Sequence, residues 1–86
     1  MLTVPAIKRE TFAMAKAIGM DVERFKVRTM HFDGSPALAV APVGIKPKGD
    51  GFDAERWELV KKYIGDLSTD ETRKQFGRIF LTDSSL

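Results

Sequence analysis

His31 and Asp33 stand two positions apart and form the first pair of residues in this chain that could carry chemistry. An imidazole beside a carboxylate can act as a base with its orienting partner, or as one edge of a metal site. No nucleophile and no third ligand stands in register with the pair. The 86 residues include one histidine and no cysteine, which excludes thiolate catalysis, a cysteine-based zinc site and a two-histidine site. We therefore expect no enzyme activity, no metal and no cofactor.

A second candidate for chemistry is the glycine-rich segment that contains Gly44 and Gly49, whose Gly-x4-Gly spacing is that of a phosphate-binding loop. A phosphate loop continues with Lys and then Ser or Thr, whereas this chain continues with an aspartate and a glycine. A carboxylate at that point repels phosphate. Two interpretations stay open: a solvated loop, or a loop in which Lys46 and Lys48 contact a partner such as a nucleic-acid backbone.

Basic residues follow helical spacing near the start of the chain, where Lys8, Phe12 and Lys16 repeat every fourth position. This pattern predicts a cationic stripe with an aromatic anchor, suited to an acidic partner or to phosphates. The alternative is that Phe12 packs in the core while the lysines are merely solvated. Further basic residues share one face of the following strand. The candidate partner-binding residues are Lys8, Arg9, Phe12, Lys16, Lys26, Arg28, Lys46 and Lys48.

The charges are unevenly distributed along the chain, although 14 basic and 12 acidic residues nearly balance overall. Residues 1–49 hold eight basic and four acidic residues, whereas residues 50–86 hold six basic and eight acidic residues. This asymmetry indicates a polarised surface, with the basic part on the first helix and the hairpin.

The elements that must position these residues form an α+β domain of residues 1–86. Thr3 is a helix N-cap, Gly19 is a helix stop that starts a Schellman ending, and Asp-Gly between apolar runs predicts a hairpin turn. The predicted order is helix, β-hairpin, helix, helix. The expected ranges are helix 5–18, strands 25–32 and 37–43, helix 53–64, and a last helix that starts at a capping box in 68–71 and runs to Leu81.

The hairpin carries three further expectations. Its first strand changes parity near Thr29 and Met30, which predicts a bulge or twist there. Pro42 has no N–H to donate, so the second strand is expected to be an edge strand or to end there. The small side chains of that strand would admit a partner strand, a second copy or one of the chain's own helices. These small residues are Ala37, Ala39 and Ala41.

Residues 15–28 also fit a helix-turn-helix template, in which Ala15, Gly19 and Phe25 occupy the small, turn and apolar positions. Lys26 and Arg28 would then lie on or near a recognition helix. Apolar and basic residues also alternate in this stretch, as they do in a strand. Whether residues 21–30 form a helix or a strand therefore discriminates between the DNA-binding template and a hairpin.

The helix–hairpin–helix order with an Asp-Gly turn resembles the small head–tail joining proteins of tailed phages. The stretch from Leu59 to Ile64, together with Leu67, is similar to the second helix of that family. The resemblance implies a structural role in an assembly, without catalysis.

The leading hypothesis is a non-catalytic protein-binding module, an inhibitor or adaptor of a larger machine encoded by a phage or mobile element. The first alternative is a DNA-binding protein that uses residues 15–28, and the second is a phage-type joining protein. The partner is expected to be a protein, a nucleoprotein or a nucleic acid, with a homodimer through the hairpin edge as a further alternative. No apolar run reaches the length of a membrane span, so we expect a soluble cytoplasmic protein with no membrane partner.

Overall fold

The computed structural model of the protein describes residues 2–44 and 54–82. The predicted α+β class is confirmed, and the first five elements follow the predicted order, with a third strand after them. The elements are helix α1 (Val4–Ala17), strands β1 (Arg24–Phe32) and β2 (Ser35–Val43), helices α2 (Ala54–Asp66) and α3 (Asp70–Phe76), and strand β3 (Arg78–Leu81).

Helix α1 begins and ends as its sequence predicts. The Thr3 hydroxyl accepts a hydrogen bond from the Ala6 amide at 3.2 Å and caps the first turn. At the other end, Gly19 has a φ of 84° and the Met20 amide donates to the Ala15 carbonyl at 2.9 Å, which completes a Schellman ending. Arg56 of α2 donates from Nε to the Ile18 carbonyl at 2.8 Å, so it ties the end of α1 to the neighbouring helix.

Strands β1 and β2 form a hairpin in continuous register, with Phe32 opposite Ser35 and Arg24 opposite Val43. Both turn residues have positive φ, 51° at Asp33 and 81° at Gly34, as the two-residue hairpin turn that matches strand twist requires. The predicted bulge near Thr29 is wrong, because the pairing continues through that position without an extra residue. The change of parity instead places Met30 and Phe32 on the same face of the sheet as Lys26 and Arg28.

The helix-turn-helix prediction for residues 15–28 is wrong. Residues 24–32 form strand β1, so Lys26 and Arg28 lie on a strand and not on a recognition helix. The alternation of apolar and basic residues, which favours a half-buried strand, therefore outweighs the match of Gly19 to the turn position.

Strand β3 is the main departure from the predicted elements. The last helix ends at Phe76 instead of Leu81, Gly77 takes a φ of 80°, and the chain then pairs parallel to β2 with Leu38 opposite Ile79. The sheet order is β1-β2-β3, so β2 is the central strand and the edge-strand alternative is wrong. The other alternative, that the strand ends at Pro42, holds to within one residue, because β2 ends at Val43.

Pro42 is tolerated in this central strand because its peptide nitrogen points to the side of β3, beyond the end of the pairing. The Val40 carbonyl accepts from the Thr82 amide at 2.9 Å, so alternate residues of β2 direct their peptide groups toward β3. Pro42 has the same parity as Val40 and lies beyond the last paired residue, Leu81. Its missing N–H therefore falls where β3 offers no acceptor.

The core lies between one face of the sheet and the helices. Phe25, Leu38, Val40 and Ile79 share that face and pack with the buried faces of the helices. Burial of each such side chain contributes about 1.5–3 kcal/mol, against about 0–1 kcal/mol for an exposed ion pair, so packing holds the layers together. The helix residues in this cluster include Ile7, Ala15, Val60 and Ile64.

The opposite face of the sheet, which we call the open face, carries the residues of the other parity. Ala37, Ala39 and Ala41 of β2 run along its middle and are buried, yet they do not belong to the core cluster. Register places β1 residues on one side of this alanine row and β3 residues on the other. The described helices therefore pack against the face opposite the alanines. The flanking residues are Arg24, Lys26, Arg28, Met30 and Phe32 of β1 and Arg78 and Phe80 of β3.

Candidate binding surface

Four of the basic residues predicted on the first helix and on the hairpin, Lys8, Arg9, Lys26 and Arg28, come together beside the outer edge of β1. Arg24, which was not among the predicted residues, joins them. Lys8 and Arg9 project from α1 beside Arg24 and Lys26 of β1, and all four are exposed. Between them lies a cleft of about 480 Å³. The docking of α1 on β1 brings these charges together, since they are 15 or more positions apart in sequence. The cleft is lined by Pro5, Lys8, Arg9, Phe12, Glu23, Arg24, Phe25 and Lys26.

A second cleft, of about 270 Å³, continues this surface along β1 and is lined by Lys8, Lys26, Val27 and Arg28. Lys8 and Lys26 line both clefts, so the two form one groove. Glu23 is the one acidic residue in the lining of this groove within the described residues. We call this set the basic groove, with the cations Lys8, Arg9, Arg24, Lys26 and Arg28.

Phe12 has a mixed role that lies between the two interpretations of the sequence. Its side chain is half-buried and packs against the core cluster, while its outer part lines the basic groove. Lys16 Nζ lies 5.6 Å from the centroid of the Phe12 ring, a cation–π distance. Phe12 therefore contributes to stability as well as to the surface.

The open face holds a second concave site, which is not among the sites predicted from the sequence. The rings of Phe32 and Phe80 lie with their centroids 5.9 Å apart at a tilt of 58°, and Phe32 is 52% exposed. Arg78 Cζ lies 6.0 Å from the centroid of the Phe80 ring. These residues and Ser35, Pro36 and Ala37 enclose about 320 Å³.

The parity change at Met30 and Phe32 is the sequence signal that could have revealed this site. It places Met30 and Phe32 on the open face, where the Phe32 ring contacts the Phe80 ring of β3, and it requires no bulge.

The two outer edges of the sheet differ in what covers them. At β3, the Ser68 hydroxyl accepts from the Ile79 amide at 2.9 Å and donates to the Ile79 carbonyl at 3.1 Å. Both backbone groups of Ile79 are thereby satisfied on the side away from β2. At β1, no described strand pairs with the outer edge, which runs beside the basic groove.

Of the predicted residues that the structure describes, Lys16, His31 and Asp33 do not line the basic groove. His31 and Asp33 are exposed at the end of β1 and in the turn. Across residues 2–44 and 54–82, no three or more His, Asp or Glu side chains lie close enough together to hold a metal ion. Lys46 and Lys48 lie outside the described residues. In the same ranges, no helix combines the length and the apolar character needed to cross a bilayer.

Comparison of the chain with models of protein families, with curated proteins and with solved structures gives no match.

Proposed function

We propose that this protein is a non-catalytic binding module that holds an acidic segment of a protein partner in the basic groove. The observation that carries the proposal is the convergence of cations from α1 and β1 on one continuous groove. Cations collected from separate elements create a field that attracts an acidic partner and orients it.

The shape and composition of the groove also favour a macromolecular partner over a small molecule. Its charged side chains are exposed. Its apolar lining consists of Pro5, Phe12, Phe25 and Val27, of which only Phe25 is buried. Small-molecule sites bury most of the ligand among apolar walls with a few fixed polar groups, whereas protein interfaces surround an aromatic or aliphatic centre with a polar rim.

The role of such a module would be to inhibit or adapt a larger assembly through the partner that occupies the basic groove. A structural role as a joining protein fits the same surface less well. The resemblance to that family rests on helix–hairpin–helix order, and here α3 and β3 follow that order and complete the sheet.

The test measures the affinity of a fluorescently labelled acidic peptide for the protein and for a charge-reversed variant. Lys8→Glu combined with Arg28→Glu removes two cations of the groove, and Lys61→Glu combined with Lys62→Glu makes the same change in net charge on the exposed side of α2. We expect the first pair to weaken binding about tenfold and the second by about twofold or less, since exposed charge contacts are worth about 0.2–1 kcal/mol each.

Two results would contradict the proposal. Equal weakening by both pairs would mean that the peptide responds to overall charge and not to the groove. Undiminished binding by the groove variant would place the peptide elsewhere. Circular dichroism of each variant checks that it remains folded, and the affinity of the native protein should fall as salt concentration rises.

A second candidate function, binding of single-stranded nucleic acid, is favoured by the open face. Phe32 and Phe80 offer rings on which bases can stack, and Arg78 lies beside them. No acidic residue stands at the described positions of this face. If a labelled oligothymidylate binds and Phe80→Ala weakens it more than the Lys8→Glu, Arg28→Glu variant does, nucleic acid replaces the acidic protein as the preferred partner.

A further inference from the structure

We propose that the acidic segment binds as an added β-strand on the outer edge of β1, with acidic and apolar residues in alternation. This inference rests on the proposed function and adds the conformation and the sequence pattern of the partner. It follows from the backbone geometry of β1, from the state of the other sheet edge and from the charges that flank the open one.

The register of the hairpin determines which peptide groups of β1 are directed outward. The two-residue turn makes Phe32 and Ser35 a hydrogen-bonded pair, so the even-numbered residues of β1 bond to β2. The odd-numbered residues direct their N–H and C=O groups away from β2. Over most of β1 these are Phe25, Val27, Thr29 and His31, a row long enough to pair with a short extended segment.

The edge of β1 is the better of the two sheet edges for such pairing. Strand β3 covers the other side of the hairpin, and its own outer edge is occupied at Ile79 by the Ser68 hydroxyl. A partner strand at β3 would have to displace two hydrogen bonds, whereas at β1 it would meet peptide groups that no described strand uses.

The charges on β1 decide between a second copy of this chain and an acidic partner. In an antiparallel pair of two β1 strands, residues directly opposite each other share a face of the sheet. Such a pair would bring Arg24, Lys26 and Arg28 of one copy beside those of the other, and like charges across a strand pair are destabilising. The same three cations attract an acidic segment.

The two faces of β1 predict the pattern of the partner. Toward the open face, alternate residues of the added strand meet Arg24, Lys26 and Arg28, so acidic side chains fit there. Toward the helices, the other residues lie beside Val27 and Phe12, so apolar side chains fit there. The segment is therefore extended, with Glu or Asp and Val or Ile in strict alternation.

The experiment uses a labelled peptide with the core Glu-Val-Glu-Val-Glu-Val between flexible Gly-Ser ends, titrated into the full-length protein. The first control has the same composition in blocks, Glu-Glu-Glu-Val-Val-Val. Two further peptides keep the alternating sequence but carry N-methyl groups either on every Val or on every Glu, which removes hydrogen-bond donors from one edge of the peptide at a time.

We expect the alternating peptide to bind about tenfold more tightly than the block peptide, because only alternation matches the period of a strand. In antiparallel pairing the apolar residues face β1 with their N–H groups, so methylation of Val should weaken binding about tenfold or more while methylation of Glu is tolerated. Hydrogen exchange of the Val27 and Thr29 amides should slow when the peptide binds.

The results separate this inference from the proposed function. If the block peptide and both methylated peptides bind as well as the alternating one, strand addition is overturned. If that binding is still lost in the Lys8→Glu, Arg28→Glu variant, the basic groove remains a site for acidic partners in another conformation. If no acidic peptide binds, both proposals fail.

Discussion

At the scale of single residues, the buried hydroxyl of Thr11 lowers the stability of the fold. It lies on the buried face of α1, is fully inaccessible to solvent, and its hydroxyl has no hydrogen-bond partner among the described residues. A buried polar group without a partner costs about 1–3 kcal/mol, whereas replacement by an apolar group of the same shape removes that cost. We therefore expect Thr11→Val to raise the free energy of unfolding by about 1 kcal/mol, measured by urea denaturation.

Thr72 supplies the matched control for this prediction. It is also buried, but its Oγ1 accepts from the Thr69 amide at 2.8 Å as part of the capping box that starts α3, and it donates to the Leu67 carbonyl at 2.5 Å. The same change, Thr72→Val, should lower the free energy of unfolding by about 1–2 kcal/mol. Destabilisation by Thr11→Val of similar size would show that the Thr11 hydroxyl has a partner after all.

At the scale of elements, Gly77 is the joint that converts the end of α3 into β3. Its φ is 80°, and a Cβ at this position would lie 1.9 Å from the carbonyl oxygen of Pro36. We expect Gly77→Ala to destabilise the protein by about 2–4 kcal/mol, since both the backbone conformation and the close approach to β2 are lost. The measurement is chemical denaturation.

Gly34→Ala is the comparison for that variant. Gly34 also has positive φ, but nothing lies within 4 Å of the Cβ position. Its replacement should therefore cost only the conformational strain, about 1 kcal/mol. Equal effects of the two substitutions would mean that contact with Pro36 does not limit the packing of β3.

The same joint explains which elements the sequence could predict. Caps, the Asp-Gly turn and apolar periodicity are local, so α1, the hairpin and the start of α3 were predictable from neighbouring residues. The capping box of α3 lies one residue later than predicted, because Thr69 and Thr72 form it while the Ser68 hydroxyl bonds to Ile79.

Phe76, Ile79 and Phe80 fit helical spacing equally well, and a strand of four residues is too short to show its own alternation. The long-range pairing with β2 makes residues 78–81 a strand and not a helix. Gly77 is the local sequence feature that indicated the end of the helix.

At the scale of the whole molecule, the packing of Tyr63 against the core should make the free energy of unfolding decline in alkali. Burial, and to a smaller extent the negative charge of Glu10, raise the pKa of Tyr63 above its ordinary value of 10.0. The unfolded chain therefore loses this proton at lower pH than the folded protein does. The contribution of the protonated Tyr63 hydroxyl to the free energy of unfolding is complete below pH 10.0, and it is lost as pH rises through the folded-state pKa.

This dependence can be measured directly because the chain contains one tyrosine. Ultraviolet absorbance of the tyrosinate follows the titration of Tyr63, and denaturation at several alkaline pH values follows stability. Tyr63→Phe should remove this part of the decline, and Glu10→Gln should bring the pKa closer to its ordinary value. An unchanged slope in Tyr63→Phe would assign the decline to other groups.

The basic groove shows what whole-molecule arrangement adds to sequence. The sequence identified Lys8, Arg9, Lys26 and Arg28 as candidates, but their convergence depends on how α1 packs across β1. Helical and strand periodicity say which residues share a face of one element and nothing about the angle between elements. The charge and shape of the groove specify the chemical class of the partner.

The parallel pairing of β2 with β3 also sets an order of events when the chain is made. The residues of β1 and β2 are synthesised before residues 78–81. The edge of β2 that pairs with β3 therefore stays unpaired while α2 and α3 are synthesised. During that interval Leu38 and Val40 lack Ile79 beside them. A chain interrupted before β3 would present an unpaired apolar strand, which is a site of aggregation.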